Sequence, residues 1–209
     1  MSALTKKIHR NIRYRTWPQV IQRRLHRLGI DIIFFYIMRE TGKGIHPPRL
    51  KGPAGEYRFG FLQPTEVEGI SRLPELRQDA DKIRADMAAG SECLVARHRG
   101  LIVASCWATF GSWEFWRKRF PMKKNEAYLS TMYTMKSHRG KNIAPRLRYE
   151  MYRALNRRGV DTFYSISEVL NAPAVRFKKK LNARVIRLCV AFAFFGRFRR
   201  IITLKRFRS

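Results

Sequence analysis

The chain has 209 residues, of which 45% are hydrophobic and 12% aromatic. This apolar content is enough for a buried core and excludes a fully disordered protein. Against 44 Lys and Arg there are only 15 Asp and Glu, which gives a formal net charge of +29. A surface this cationic attracts polyanions such as nucleic acid, anionic lipid headgroups and phosphorylated ligands.

The excess positive charge is concentrated at both ends of the chain. Residues 1–58 carry 13 basic and 3 acidic residues and residues 137–209 carry 19 and 3, whereas residues 59–136 carry 12 and 9. Two interpretations stay open: a solvated basic surface, or a face that docks on phosphates. The three cysteines have neither paired nor zinc-binding spacing, which favours a reducing compartment and no metal.

Residues 1–28 are basic, with apolar residues at helical spacing, and predict an amphipathic helix. Such a helix either lies on a membrane surface or packs on the domain with its charges in water. Residues 30–38 are apolar enough for a strand or a buried helix, and the Gly/Pro-rich segment 41–55 is typical of a linker. We therefore expect a basic N-terminal extension over residues 1–55 and a main domain over residues 56–209.

The main domain alternates strand and helix patterns, which predicts a mixed α/β sheet. The pattern favours two short helices within residues 65–90, a hairpin from residues 92–97 and 101–110, and an aromatic, basic loop over residues 111–125. The remaining predicted elements are strands at residues 57–63, 126–135, 161–169, 183–195 and 201–207 and helices at residues 143–158 and 171–181.

The sharpest motif joins the strand at 126–135 to the helix at 143–158. Residues 139–144 read Arg-Gly-Lys-Asn-Ile-Ala and form a short basic turn that leads into a helix. Helix N-termini present free backbone N–H groups and a positive partial charge, so this turn predicts a phosphate or pyrophosphate site. An ordinary strand–helix turn that contains a glycine is the alternative.

This turn and the order of elements resemble the GNAT superfamily of acyl-CoA-dependent N-acyltransferases, whose turn reads Arg/Gln-x-x-Gly-x-Gly/Ala. Downstream, Asn171, Ala174, Lys180 and Leu181 match the family's Asn-x-x-Ala helix and the Lys-Leu that follows it. The resemblance covers roughly residues 56–209. It implies a mixed, mostly antiparallel central sheet flanked by helices.

The resemblance also implies an acyl-CoA co-substrate, with acetyl-CoA expected, and the residues that bind it. The turn would cradle the pyrophosphate, while the preceding strand end and Asn171 would hold the pantetheine arm. The cofactor residues implied in this way are Met132, Tyr133, Thr134, Met135, His138, Arg139, Gly140, Lys141, Asn142, Ile143, Ala144 and Asn171.

Three features depart from the family pattern. Asn142 stands where Gly is usual, Lys178 stands where the family often has a Tyr that protonates the leaving thiolate, and the Gly-Phe that usually follows the Lys-Leu is replaced by Asn182-Ala183. Lys178 is therefore the candidate general acid. Glu126 and Glu168, at the two ends of neighbouring predicted strands, are both candidates for the general base.

Three functions remain open. The first is N-acylation of an amine on a phosphorylated small molecule, a sugar or a lipid-linked acceptor. The second is acylation of aminoacyl-tRNA or a ribosomal protein, and the third is a binding protein that has lost catalysis. Aromatic residues interleaved with basic ones favour an anionic membrane interface over nucleic acid. Since the sequence shows no signal peptide or spanning segment, we expect a cytoplasmic protein, peripheral to the inner face of the membrane.

Overall fold

The computed structural model describes residues 21, 24–51, 56–73, 76, 79–196 and 198–208. The strands of this part of the chain are β1 (Ile30–Glu40), β2 (Tyr57–Phe61), β3 (Glu92–His98), β4 (Leu101–Thr109), β5 (Ser112–Phe115), β6 (Lys118–Pro121), β7 (Glu126–Thr134), β8 (Thr162–Glu168), β9 (Arg184–Phe194) and β10 (Phe198–Arg206). The α-helices that lie wholly within it are α1 (Val67–Ser71), α2 (Ala80–Ala88), α3 (Ile143–Asn156) and α4 (Ala172–Lys180). The basic helix predicted for residues 1–28 lies almost entirely outside the described residues.

Eight strands form one sheet in the order β10-β9-β1-β8-β7-β4-β3-β2. Neighbouring strands are antiparallel except for β7 and β8, which are parallel. Alternate residues of β3 enter two different core clusters: Leu94 and Ala96 pack with α3, whereas Cys93 and Val95 pack with α1 and α2. Helices therefore cover both faces of the sheet, and the predicted mixed, mostly antiparallel architecture is confirmed.

Strand β1 lies in the interior of the sheet, between β8 and β9. Phe35 is opposite Glu168 on one side and Cys189 on the other. The apolar residues for which the sequence left a strand or a buried helix open thus form a strand. The sheet accordingly includes a strand on the N-terminal side of the boundary expected at residue 55. The segment after this strand also packs on the domain, because the Lys51 N–H donates to the Lys141 carbonyl at 3.0 Å.

The prediction of a loop at residues 111–125 is wrong, because β5 and β6 pair as a hairpin there. Trp113 stacks on Phe120 across the hairpin at 4.0 Å between ring centroids and on Tyr128 of β7 at 4.3 Å. The turn residues Trp116 and Arg117 have φ of 52° and 63°. Two successive positive φ values are typical of a type I′ turn, whose twist matches that of the flanking strands. Such turns usually contain Asn or Gly. Because neither is present here, the sequence shows no hairpin signal.

The other predicted elements are found within a few residues of their expected bounds. The predicted cap of α4 is also present, since the Asn171 side chain accepts a hydrogen bond from the Ala174 N–H at 3.2 Å. Such a cap satisfies one of the free N–H groups at the start of a helix. Asn171 is therefore held at the point where β8 leads into α4.

Candidate active site

The parallel strands β7 and β8 pair at one end and diverge at the other. Their ladder runs from Glu126 opposite Thr162 to Tyr128 opposite Tyr164, although both strands continue beyond it. On β7, Thr131 has a φ of 43°, and the register with β4 shifts nearby. A bulge of this kind bends its strand, so a cleft opens between the two strand ends.

The turn at residues 139–142 stands at the mouth of this cleft. Gly140 has a φ of 80°, and Asn142 is left-handed with φ 61° and ψ 21°. Asn is among the residues that adopt this conformation most readily, so the left-handed backbone at this position does not require Gly. The Asn142 side chain donates to the Arg49 carbonyl at 3.0 Å and does not cap α3. The first N–H groups of α3 are thus left without a cap from Asn142.

A cavity with a volume of about 700 Å³ fills the space between β7, α3 and α4. All the predicted cofactor residues line it except Met135 and Lys141. The backbones of these two residues make hydrogen bonds within the fold. The Met135 N–H donates to the Val103 carbonyl, and the Lys141 carbonyl accepts from the Lys51 N–H. The residues that line the cavity are Met132, Tyr133, Thr134, His138, Arg139, Gly140, Asn142, Ile143, Ala144, Pro145, Asn171, Pro173, Ala174, Arg176, Phe177 and Lys180.

The cavity suits an anionic ligand with an amide-containing arm. Arg139, Arg176 and Lys180 line it, and no acidic residue is among its lining residues. The Thr134 hydroxyl is buried and makes no hydrogen bond within the described part of the chain. Burial, with the positive charge of Lys141, lowers the pKa of His138. The residues thus fit the phosphates and the pantetheine amides of a coenzyme A thioester.

Lys178 lies behind this cleft, with only 5% of its surface exposed. Its ammonium donates to the Ser165 hydroxyl at 2.9 Å and to the Ile166 carbonyl at 2.8 Å. Both acceptors lie on β8 just beyond the last residue paired with β7. Burial, with the charge of Arg148, lowers the pKa of Lys178 to about 8.

A buried carboxylate on β1 completes this polar cluster. Glu40 accepts two hydrogen bonds from Arg148 of α3, at 3.0 and 2.9 Å, and one each from the hydroxyls of Tyr152 and Ser165. Burial alone would raise the pKa of Glu40, but Arg148 and the other partners lower it to about 2. The cluster joins β1, α3, β8 and α4 into one hydrogen-bonded unit, which we call the Glu40 cluster.

Glu126 and Glu168 lie at opposite ends of the parallel pair. Glu126 accepts hydrogen bonds from the Tyr164 hydroxyl at 3.0 Å and from the Lys123 N–H at 2.8 Å. Burial and this carboxylate raise the pKa of Tyr164. Glu168 is exposed at the far end of β8, about 20 Å along the strand from the residue that pairs with Glu126. The structure does not bring the two carboxylates together.

A second cavity, of about 170 Å³, lies beside Glu126 and Tyr164. It is covered by the β5–β6 hairpin, which contributes Trp113 and Phe120 to its wall. A neighbouring cavity of about 590 Å³ shares Ile186 with it and is lined by Arg39, Lys43 and Arg184. A mostly apolar pocket, which contains Glu126 and Arg187, therefore adjoins a cationic one.

Sequence reasoning missed Glu40, Arg148 and Tyr152 as members of a polar cluster, and it missed Arg39 and Arg184. Glu40 closes an apolar strand and Arg148 lies within a basic helix, so neither stands out as a buried charge. Their pairing joins residues 108 positions apart. A charge of opposite sign on an adjoining element is the only signal, and it is visible only once the sheet order is known.

Among the described residues, no helix combines the length and the apolar character needed to cross a membrane. In the same part of the chain, no group of three or more His, Cys, Asp or Glu side chains is placed to hold a metal ion.

Residues 60–183 match the model of the acetyltransferase (GNAT) family, and the chain belongs to this family. The family uses acyl-CoA as co-substrate and transfers the acyl group to an amine, so the protein is classified as an acyltransferase. No curated protein matches the sequence significantly.

Solved structures show the same fold at low sequence identity. A putative GNAT-family acetyltransferase from Novosphingobium aromaticivorans is similar with 20% identity and a TM-score of 0.55, over 79% of this chain and 68% of that one. A GCN5-related N-acetyltransferase from Sphaerobacter thermophilus is similar with 15% identity and a TM-score of 0.58, over 83% of this chain. This chain spans only 55% of the Sphaerobacter protein.

Proposed function

We propose that the protein transfers an acyl group, with acetyl-CoA as the expected donor, to an amine that also carries an anionic group. Phosphorylated small molecules, amino sugars bearing phosphate and lipid-linked phosphates are such acceptors. We further propose that it works at the cytoplasmic face of a membrane. The observation that carries this proposal is the cleft between β7 and β8, which has a cationic turn at its mouth and a buried lysine beyond its far wall.

The donor would be held by the turn and by the edge of β7. The N–H groups of Ile143 and Ala144, together with the side chains of Arg139, Arg176 and Lys180, would bind its phosphates. The buried Thr134 hydroxyl would pair with an amide of the pantetheine arm. A bound thioester supplies an activated acyl group.

Glu126 is the better placed of the two candidate bases. It shares a face of the sheet with Tyr128, the last residue of β7 that pairs with β8, and Tyr164 already donates to it at 3.0 Å. An acceptor amine in the adjoining cavity would pass its proton to Glu126, directly or through Tyr164. Glu168, which is exposed and far along β8, is the weaker candidate.

Lys178 would protonate the departing thiolate. Its lowered pKa of about 8 lies close to that of a free thiol, so the proton transfer is nearly balanced in free energy. Its hydrogen bond to Ile166 places the ammonium beside the stretch of β8 that no longer pairs with β7. This supports Lys178 in the role that the family usually gives to a Tyr.

The 590 Å³ cavity lined by Arg39, Lys43 and Arg184 supports an anionic acceptor. Arg39 pairs with Tyr164 across β1 and β8, so its strand position adjoins that of the proposed base relay. An acceptor with its phosphate on Arg39 and Arg184 would therefore have its amine near Glu126.

The first test compares two matched glycine variants. Gly140 and Gly90 are both exposed, both have positive φ (80° and 86°), and neither has an atom within 4 Å of an added Cβ. Gly140→Glu places a negative charge where the phosphates would bind, and we expect it to weaken acetyl-CoA binding about a hundredfold in calorimetric titration. Gly90→Glu carries the same strain and charge and should bind like the parent. A folded parent that binds no acyl-CoA would overturn the proposed function.

The acceptor class is tested with paired probes, O-phosphoethanolamine against ethanolamine and glucosamine 6-phosphate against glucosamine. We expect the phosphorylated member of a pair to have the lower KM, and the Arg39→Ala/Arg184→Ala double variant to raise that KM about tenfold. The KM of the unphosphorylated amine should stay unchanged. Equal KM values for both members in the parent protein would contradict an anionic acceptor, and acyl-CoA binding without transfer to any amine would favour a protein that has lost catalysis.

A further inference from the structure

The turn between β9 and β10 exposes a group of phenylalanines. Phe194, Phe195 and Phe198 are 40%, 76% and 48% exposed. The Phe194 and Phe198 rings lie 6.4 Å apart, and the Phe195 N–H donates to the Gly29 carbonyl, next to the exposed Leu28. Contiguous exposed apolar surface of this kind marks an interaction site more often than chance exposure. We call these four residues the aromatic end.

A cationic cavity adjoins the aromatic end. Its volume is about 390 Å³, and its wall joins the β5–β6 turn to the start of β10. The guanidinium of Arg200 lies 5.1 Å from the centre of the Phe198 ring, so cation and aromatic ring are in contact. The residues that line the cavity are Trp116, Arg117, Lys118, Phe198, Arg199, Arg200 and Ile201.

Negative charge is nearly absent from this region. Residues 169–209 contain 12 Lys and Arg and no Asp or Glu. Of the acidic residues on the adjoining strands, Asp31 is paired with His26 at 2.6 Å, and Glu114 stands opposite Arg119 in the hairpin. The patch therefore presents apolar rings surrounded by positive charges that outnumber the nearby carboxylates.

We propose that the aromatic end docks on a bilayer that contains anionic phospholipid. The rings of Phe194, Phe195 and Phe198 enter the headgroup region, while Arg199 and Arg200 bind lipid phosphates. A ring that is three-quarters exposed at the tip of a turn suits insertion between headgroups. A platform for stacked RNA bases would instead lie flat in a groove.

This inference rests on the proposed function at a membrane surface and identifies the face responsible. The β5–β6 hairpin connects the aromatic end with the acceptor pocket. Its turn lines the 390 Å³ cavity, and its strands contribute to the wall of the pocket beside Glu126. An amine held at the bilayer by a lipid phosphate would thus meet the acceptor pocket along one hairpin.

The apolar contribution is tested by sedimentation of the full chain with vesicles of phosphatidylcholine, with and without about one third phosphatidylglycerol. The Phe195→Asn/Phe198→Thr variant removes two rings, and Asn suits the φ of 48° at position 195. We expect the partition coefficient on anionic vesicles to fall at least about tenfold. Leu101→Asn is the control, because Leu101 is 70% exposed in the β3–β4 hairpin. It should bind as the parent does.

The charge contribution is tested with Arg199→Glu/Arg200→Glu on the edge strand β10. We expect vesicle binding to fall by about tenfold or more and to depend less on salt. Arg58→Glu/Arg72→Glu changes the net charge equally but replaces exposed cations on β2 and directly after α1, near the opposite edge of the sheet. The vesicle binding of this control should fall by about twofold or less.

Three results would overturn the docking surface: ring variants that bind like the parent, equal binding to vesicles without phosphatidylglycerol, or binding of single-stranded RNA without binding of vesicles. Acetyl-CoA titration of the same variants separates the two proposals. Lost vesicle binding with unchanged acetyl-CoA affinity supports docking by the aromatic end. A parent that binds vesicles but no acyl-CoA would remove the proposed enzyme activity and leave the docking surface standing.

Discussion

Lys178→Met is expected to lower kcat about a hundredfold and to leave the affinity for acyl-CoA nearly unchanged. General acid catalysis typically contributes about 10²–10⁴ in rate, and methionine fills the same space without a proton to donate. Lys178 is absent from the wall of the cavity that would hold the phosphates and the pantetheine arm, so its loss leaves those contacts in place. The measurement is release of free CoA thiol with the best acceptor of the paired-probe comparison.

The rate should depend on pH through the protonation state of Lys178. The ammonium of Lys178 is the form that donates, and its pKa is about 8. The rate of the parent should therefore fall as pH rises through about 8, and this descending limb should vanish in Lys178→Met. A descending limb that persists in the variant would assign the titration to another group.

Misfolding is not expected to explain the loss. A lysine whose pKa is lowered from 10.5 to about 8 holds its proton less tightly in the folded than in the unfolded chain, so its buried charge reduces stability below pH 8. Removing it should preserve or raise the free energy of unfolding. Lys179→Met, one residue along α4 and exposed, is the matched control and should keep full kcat. Unchanged kcat in Lys178→Met would exclude the lysine as the acid.

The parts of the candidate site that could be predicted from the sequence are those encoded locally. The turn at residues 139–144 combines a strand end, Gly140, a residue that tolerates left-handed backbone and a helix start within six positions, and Asn171 carries its own capping signal. Local patterns of this kind determine backbone geometry almost independently of the rest of the fold. In the structure, all but two of the predicted cofactor residues line one cavity.

The parts that could not be predicted from the sequence depend on tertiary structure. No local pattern shows that β1 enters the sheet between β8 and β9, because its apolar run fits a helix as well as a strand. The β5–β6 turn adopts two positive φ values without Asn or Gly, because the stacked rings of Trp113, Phe120 and Tyr128 stabilise the hairpin. In both cases packing overrides local preference.

Glu40→Gln is expected to lower the free energy of unfolding by about 3–5 kcal/mol at neutral pH. The substitution preserves shape but leaves the Arg148 guanidinium, which is 1% exposed, without a counter-charge. Glu92→Gln is the matched control, because Glu92 pairs with Arg158 at 2.6 Å on the surface, where a salt bridge typically contributes about 1 kcal/mol or less. Denaturant unfolding of both variants measures the difference.

Acid should remove the same stabilisation from the parent. The pKa of Glu40 is about 2 in the folded protein against 4.5 for an ordinary Glu, so the unfolded chain takes up the proton first as pH falls. The contribution of Glu40 is complete above pH 4.5 and is lost as pH falls through about 2, an amount of about 3 kcal/mol. Glu40→Gln should lack this loss. Equal acid sensitivity in the two proteins would mean that Glu40 is not held ionised by Arg148.

Glu40 also raises the pKa of Lys178, against the larger lowering by burial and Arg148. In Glu40→Gln the descending limb of the rate profile should therefore move below pH 8, because the lysine loses its nearest negative charge. A merely structural role for Glu40 would lower stability and leave this limb in place. A shift of the limb in a variant shown to be folded would mean that strand β1, which lies before the expected domain boundary, sets the protonation of the group that completes acyl transfer.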